Sequence, residues 1–305
     1  MGGTSQMSKV HSYLPNNITH TNGGKRKVEH LNSGIVQSSR FLKLGISHGT
    51  STKSLGNMSL ARDYDGKTSL NLKNVFRLIG VCEETDVVLF LNLTHSANIA
   101  LVRKIPERKG KIVLSQESPE VVDIVKAEGI DPPRDYIPHP EKGIDACISN
   151  STGLFLAVLP ADCAPVFFYD PTNQYYAIAH AGVLGAFSGI VPRVIQCMQE
   201  WAGSKPENIE CYIGPCISSS VYRLKSSGLW EKILQDRISC EEAEAFDLKE
   251  HLRAQLLRVG IAEANIELSN FCTGSDTGLF FSNYGTKAIE EKNKQGRIIS
   301  LFGRK

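Results

Sequence analysis

The chain has no stretch approaching the roughly 20 apolar residues that a membrane-spanning helix needs, so no span is expected. It has no Cys-x-x-Cys pair. Its eight cysteines, Cys82, Cys147, Cys163, Cys197, Cys211, Cys216, Cys240 and Cys272, are scattered. No signal peptide precedes them, so a disulfide framework is not expected, and reduced thiols in a cytoplasmic protein are. Most should be buried small hydrophobes. The net charge is only +2, with no long basic run beyond the N-terminal region, which argues against nucleic acid as the main partner. There is no internal repeat and no linker-like segment after residue 41, so one domain is expected over residues 39–305.

Residues 1–38 are polar and aperiodic, with a single acid, Glu29. They read as a disordered tail, and their scarcity of acids also suits organellar targeting. The segment 41–62 reads as a Gly/Ser loop able to bind a ligand. Lys67–Gly80 reads as a helix, and Val87–Leu91, Ile99–Val102 and Ile112–Leu114 as strands. Ser118-Pro119-Glu120 predicts a helix to about Glu128, with Pro at its first position. Residues 103–143 form a Pro-rich insertion. Its end, with Pro132, Pro133, Pro138 and Pro140, reads as a stiff loop suited to a lid.

The most informative stretch is 154–191. Three apolar runs, Leu154–Leu159, Val166–Tyr169 and Tyr175–Ala179, read as buried strands. Pro160-Ala161-Asp162-Cys163 breaks the first, and His180 follows the third. Both Cys163 and His180 are therefore expected at strand ends, where α/β folds expose reactive side chains. A helix should follow over 184–201, kinked or divided at Pro192, since proline inside a continuous helix costs about 3 kcal/mol. Ile209–Ile213, Ile266–Ser269, Leu279–Ser282 and Arg297–Phe302 read as strands. Gly228–Asp236 and Asp247–Arg258 read as helices, the latter with Asp247 as N-cap.

Outside the tail, His95 and His180 each follow an apolar strand. With Cys163 they offer two imidazoles and a thiolate, a donor set suited to zinc with one open position, or to copper with a weak axial ligand. The spacing does not by itself choose between a metal site and satisfied histidines beside a buried cysteine. The same atoms could form a Cys–His pair, with Cys163 as nucleophile and His180 as base. Gly182 and Gly185 flank the start of the 184–201 helix, where free N–H groups could meet an anion such as phosphate; tight helix–sheet packing is the alternative.

Ala161-Asp162-Cys163-Ala164-Pro165 and His180-Ala181-Gly182 followed by Gly185 resemble the A-D-C-x-P and H-A-G-W-[RK]-G motifs of the laccase-domain family, also called the YfiH-type purine nucleoside phosphorylases. Asp145-Ala146, Ile213-Gly214-Pro215-Cys216, Cys272-Thr273 and Phe280-Phe281-Ser282 fit the same family, as does Thr94-His95-Ser96 at its first histidine. The resemblance spans about 41–302. It implies an α+β single-domain layered sandwich with mixed sheets flanked by helices. It implies zinc held by His95, Cys163 and His180, and phosphorolysis of adenosine, inosine and methylthioadenosine, with adenosine deamination as a further activity. Purine nucleoside and phosphate are then the partners. The chain departs from the family at Val183-Leu184, in place of Trp and a cation. It also departs at Leu93, at Leu42, where Lys43 stands beside a missing arginine, and at Tyr284, again in place of arginine. Phosphate would then rely on Gly182, Gly185 and Lys43, or on Arg103 or Lys104. Two other readings follow: a metal-retaining, catalytically weakened member that binds a nucleoside or a protein, and a Cys–His hydrolase.

Overall fold

The computed structural model describes residues 29–305, apart from 60, 62, 64, 103–111, 115–121, 126–142, 237 and 286–294. Two seven-stranded sheets lie face to face. The first contains β1 (His30–Asn32), β2 (Ile35–Gln37), β3 (Ser47–Ser51), β4 (Val87–Phe90), β6 (Ile112–Leu114), β9 (Leu154–Val158) and β14 (Ser300–Arg304), in the order β1-β2-β3-β14-β9-β4-β6. The second contains β5 (Ile99–Val102), β7 (Val122–Val125), β8 (Ala146–Ser149), β10 (Ala164–Asp170), β11 (Tyr175–Ala181), β12 (Glu210–Ile213) and β13 (Ile266–Leu268), in the order β13-β12-β10-β11-β8-β5-β7. Both sheets are mixed: β4 runs parallel to β9 and β5 to β8, while β10 pairs antiparallel with both β11 and β12.

The continuous apolar runs have a simple cause: each central strand is buried on both faces. Along β10, Val166 and Phe168 face the helices, whereas Phe167 and Tyr169 enter the space between the sheets. Along β9, Leu154, Leu156 and Val158 meet that same inner layer, while Phe155 and Ala157 face outward. Helix α2 (Thr68–Ile79) covers the first sheet through Leu72, Val75, Phe76 and Ile79. The second sheet is covered by α3 (Val183–Phe187), α4 (Ile190–Ala202) and α6 (Leu248–Arg258). Two shorter helices, α1 (Ser39–Lys43) and α5 (Cys240–Ala245), complete the set. No described helix is long and apolar enough to cross a membrane.

Several expectations need correction. The fold begins before residue 39: β1 and β2 lie inside the stretch read as tail, and Glu29 is buried, accepting a hydrogen bond from the Tyr212 hydroxyl. Residues 1–28 lie outside the described residues. The Gly/Ser stretch 41–62 is not a loop throughout, because β3 threads through it. Its hydroxyls pair internally, Thr50 with Ser300 at 2.8 Å and Ser51 Oγ accepting from the Ile299 N–H at 3.0 Å, so a polar strand can be buried without penalty. The helix expected from Ser118 gives way to β7, which pairs antiparallel with β5; three of its four residues are β-branched. Leu279–Ser282 is a turn, with the Leu279 and Phe280 N–H groups both donating to the Asp276 carbonyl. The last strand is Ser300–Arg304, later than expected. His180 is not beyond its strand: β11 extends to Ala181 and pairs His180 with Pro165. The expected helix is divided, as one of the two expectations had it, but at Ser188 and Gly189, where Gly189 takes a positive φ of 74°; Pro192 does not start α4 but lies in its first turn, where the missing N–H has no intrahelical partner to lose. Around Trp230–Leu234 the predicted helix is a single wide turn. The 129–142 lid reading lies outside the described residues.

His48 is fully buried on β3. Its Nδ1 donates to the Ile46 carbonyl at 2.9 Å, and the Ser38 N–H donates to Nε2 at 2.8 Å, an arrangement that only the neutral ring satisfies. Burial pushes its pKa down to about 4. An unfolded chain protonates this ring near pH 6.5, so stability is retained above that pH and lost as pH falls toward about 4, by about 3 kcal/mol. Urea midpoints of wild type and His48→Gln between pH 7 and 4.5 should converge as pH falls. Parallel curves would remove His48 from the acid response.

Candidate functional site

The site is assembled around Asp145, which immediately precedes β8 and is fully buried. Its carboxylate accepts the backbone N–H groups of Thr94, His95 and Ser96 at 3.2, 3.0 and 2.7 Å. It also accepts the hydroxyls of Ser96 at 2.6 Å and Thr94 at 3.2 Å. His95 takes a positive φ of 59° within this turn, a conformation that costs a non-glycine residue on the order of 1 kcal/mol. Three converging N–H donors offset that cost and turn the His95 side chain toward the second sheet. Nδ1 of His180 lies 2.9 Å from the same carboxylate. The acid therefore sets the tautomer of His180, leaving Nε2 to face Cys163.

Asp162 supplies the other half. It too has a positive φ, 85°, and is buried. Its carboxylate accepts the Thr273 hydroxyl at 2.8 Å and the N–H groups of Asn283 and Tyr284 at 2.6 and 3.1 Å. Its carbonyl accepts the Ile217 N–H at 2.9 Å. This turn delivers Cys163 just ahead of β10. The ligand atoms of His95, Cys163 and His180 all lie within 4.8 Å of one another, and the two imidazole rings are 5.0 Å apart.

The electrostatics match a site made to hold charge. Burial would raise the Cys163 thiol, but the His180 imidazole beside it more than offsets this and holds it at about 6. Burial would lower His180, yet Cys163 and Asp145 hold it up at about 10. Burial also opposes ionisation of Asp145, but the hydrogen bond and charge of His180, with the Ser96 hydroxyl and His95, together overcome that and keep its pKa low. Each of these shifts favours the charged form of its group, thiolate, imidazolium and carboxylate in turn. The donor set fits a metal: two nitrogens and a sulfur converge, an acid orients one ligand from behind, and the front opens to a cleft.

That cleft encloses about 490 Å³ of space, the open solvent at its mouth included. His95, Asp162 and Cys163 form its polar end, and Ile217, Leu229 and Leu248 line part of the remainder. Tyr222 and Tyr284 form an edge-to-face corner, with ring centroids 4.8 Å apart. Leu184 and Tyr284, standing where the resemblance calls for cations, both face into it, and no Lys or Arg lines it among the described residues.

Of the residues expected to act, His95, Cys163, His180 and Gly182 come together. A Cβ on Gly182 would lie 2.8 Å from Cys163 Sγ and 2.9 Å from a His95 ring carbon, so only glycine admits both ligands. Gly185 serves packing instead: it is buried, and a Cβ there would come within 3.1 Å of the Ser96 carbonyl. Lys43 does not reach the site. It is exposed at the end of α1, where Arg40 pairs with Glu210 at the far end of β12. The expected long helix after Gly182 is five residues in α3, too short to supply a strong N-terminal field. Arg103 and Lys104 lie outside the described residues. Sequence reasoning did not assign a site role to Asp145, Asp162, Tyr222 or Tyr284. Asp145 did carry a signal, as an acid at the start of an apolar strand.

With two face-to-face sheets, outer helices and a His–Cys–His cluster at one sheet end, the molecule is an α+β sandwich of the YfiH type. The chain belongs to the family described as multi-copper polyphenol oxidoreductase laccase, whose model matches residues 43–305. It is 34% identical over 171 residues to the purine nucleoside phosphorylase YlmD of Bacillus subtilis (strain 168), and 32% identical over 167 residues to a purine nucleoside phosphorylase of Bacteroides thetaiotaomicron. Those matches cover 54% and 52% of this chain, and 60% of each relative. Among solved structures, the fold is similar to Bacillus licheniformis hypothetical protein YfiH, with a TM-score of 0.69 at 23% identity, covering 91% of this chain and 99% of that one. It is also similar to YlmD of Geobacillus stearothermophilus, with a TM-score of 0.66 at 22% identity, covering 95% and 99%.

Two substitutions test the geometry. Gly182→Ala should separate Cys163 from His95 and lower any divalent-metal affinity by at least about tenfold, with circular dichroism unchanged. Asp145→Asn should lower it by about 10- to 100-fold by loosening His180. Competition with a chromogenic chelator measures both, and wild-type affinity in either variant would overturn the arrangement.

Proposed function

We propose that this chain is a zinc-dependent purine nucleoside phosphorylase of the cytoplasm. The convergence of His95, Cys163 and His180 at the polar end of an otherwise apolar cleft carries the reading. The printed names of the two relatives above support the activity. Two nitrogens, one thiolate and an open fourth position suit zinc better than copper, which would want a further axial donor. When bound, zinc supplies Lewis acidity toward a substrate oxygen.

The chain's own residues do the rest. Tyr222 and Tyr284 offer an aromatic corner to a planar base, and Ile217, Leu229 and Leu248 exclude water around it. Asp145 holds His180 in one tautomer, so its Nε2 stays directed at the reacting end. In phosphorolysis a phosphate oxygen forms the new bond to the ribose C1′ as the bond to the base breaks. The base leaves carrying a proton.

One observation favours a second reaction at the same site. No described cation lines the cleft, so phosphate has no visible charge partner there. Deamination of adenosine needs only water and releases ammonia, and this cleft suits it. The Cys163–His180 pair also has the geometry for a thiol hydrolase. A metal-retaining protein that binds nucleoside without turnover would use the same corner.

Purified protein with zinc, incubated with adenosine, inosine or methylthioadenosine with and without phosphate, separates these outcomes. Phosphorolysis predicts free base and sugar 1-phosphate only with phosphate, falling by more than about 100-fold in His180→Ala. Inosine formed from adenosine without phosphate would assign deamination. Rapid alkylation of Cys163 in zinc-loaded protein would favour the hydrolase. No product at full zinc occupancy would remove the enzymatic claim.

A further inference from the structure

Beside the site, two cysteines sit on directly paired backbone segments that the proposed reaction does not use. Cys216 follows β12, and Cys272 lies beyond β13. They are direct partners in an isolated parallel bridge, with the Thr273 N–H donating to the Cys216 carbonyl at 3.1 Å. Partners in a parallel bridge project their side chains to the same side. The two segments are pressed together: a Cβ on Gly274 would lie 2.9 Å from a Val221 methyl and 3.1 Å from Ile217. The sulfur of Cys272 reaches across the gap. It accepts the backbone N–H of Ser218 at 3.3 Å and the Ser218 hydroxyl at 3.1 Å, placing it over the residues that immediately follow Cys216. The Ser218 hydroxyl is in turn 2.7 Å from that of Ser220.

We propose that Cys272 and Cys216 are an oxidation-sensitive thiol pair, in which a hydroperoxide oxidises Cys272 and Cys216 resolves it to a disulfide. Both are free thiols with different surroundings. Cys272 is 9% exposed and Cys216 wholly buried, so an oxidant reaches Cys272 first. Two donors converge on the Cys272 sulfur, as a thiolate requires. Burial alone would raise its pKa, but the hydrogen bonds from Ser218 and Ser275 together outweigh that and hold it below the usual thiol value. Burial keeps Cys216 protonated, at about 12.

The Cys272 sulfur attacks the outer oxygen of the hydroperoxide. The O–O bond breaks, an S–OH group forms, and the displaced oxygen leaves as alcohol or water with the thiol's proton. The Cys216 sulfur then attacks Cys272. The S–O bond breaks, and the hydroxide takes the Cys216 proton and leaves as water. The two thiols lose two electrons together, and the peroxide gains them. The new bond would pull on Ile217, which lines the cleft, and on Thr273, whose hydroxyl holds Asp162 next to Cys163. Oxidation would therefore register at the metal site as well.

The test uses the full-length, zinc-loaded protein treated with hydrogen peroxide, then blocked with alkylating reagent, digested and read by tandem mass spectrometry. The expected product is a Cys216–Cys272 disulfide, reversed by dithiothreitol. In Cys216→Ser, and in Cys216→Ala should the first fold poorly, Cys272 should instead be captured as its dimedone adduct. Ser218→Ala should slow the oxidation roughly three- to tenfold with an unchanged thermal midpoint, because one thiolate donor is gone. Oxidation confined to Cys163 or Cys82, or a Cys272 that resists dimedone in both Cys216 variants, would overturn the proposal.

Discussion

A single buried carboxylate ties the two sheets of the sandwich to the chemistry between them. Asp145 gathers three consecutive backbone N–H groups from the 94–96 turn and the ring nitrogen of His180. A lone ionised carboxylate in this position would be heavily penalised by burial. Here its neighbours satisfy it, so the group can organise two candidate ligands, His95 and His180, from behind. The local strain at His95 persists because the turn has no better way to satisfy that acid.

Asp162 repeats the device on the opposite side. One carboxylate draws in Thr273, Asn283 and Tyr284 and so fixes both the thiol of Cys163 and the rim of the cleft. Gly182 completes the geometry by leaving space where any side chain would collide with two ligands. Two buried acids and one glycine therefore set the positions of three donors. The strands contribute rigidity: β10 and β11 are buried on both faces, and their register seats His180 opposite Pro165. The same lattice brings Cys216 and Cys272 side by side just behind the cleft.

The sandwich was largely readable. Runs such as Leu154–Val158 and Ile99–Val102 are apolar at every position, as strands covered on both faces must be. Where reading failed, tertiary partners had overridden local signals. Ser47–Ser51 looks like a loop because nothing in its composition announces that Ser300 and Ile299 will satisfy its hydroxyls. Ser118-Pro119 looks like a helix start, yet Val122–Val125 found a free strand edge at β5. Lys43 was proposed from proximity to a missing arginine in a motif, and the fold carries it to the far end of the sheet.

Residue identity alone determined which atoms could make a soft-metal site, because few histidines outside the tail follow buried strands and His95, Cys163 and His180 are chemically suited to one ion. It also determined the strand runs and the place of Pro192 in the first turn of α4, since these depend on period and on a missing N–H. Only the tertiary structure decided that the three donors meet, that Asp145 stands behind them, and that the cleft before them is apolar. Those outcomes depend on strands brought together across more than a hundred residues of chain, and the register of such pairings is set by the whole core, not by any local stretch.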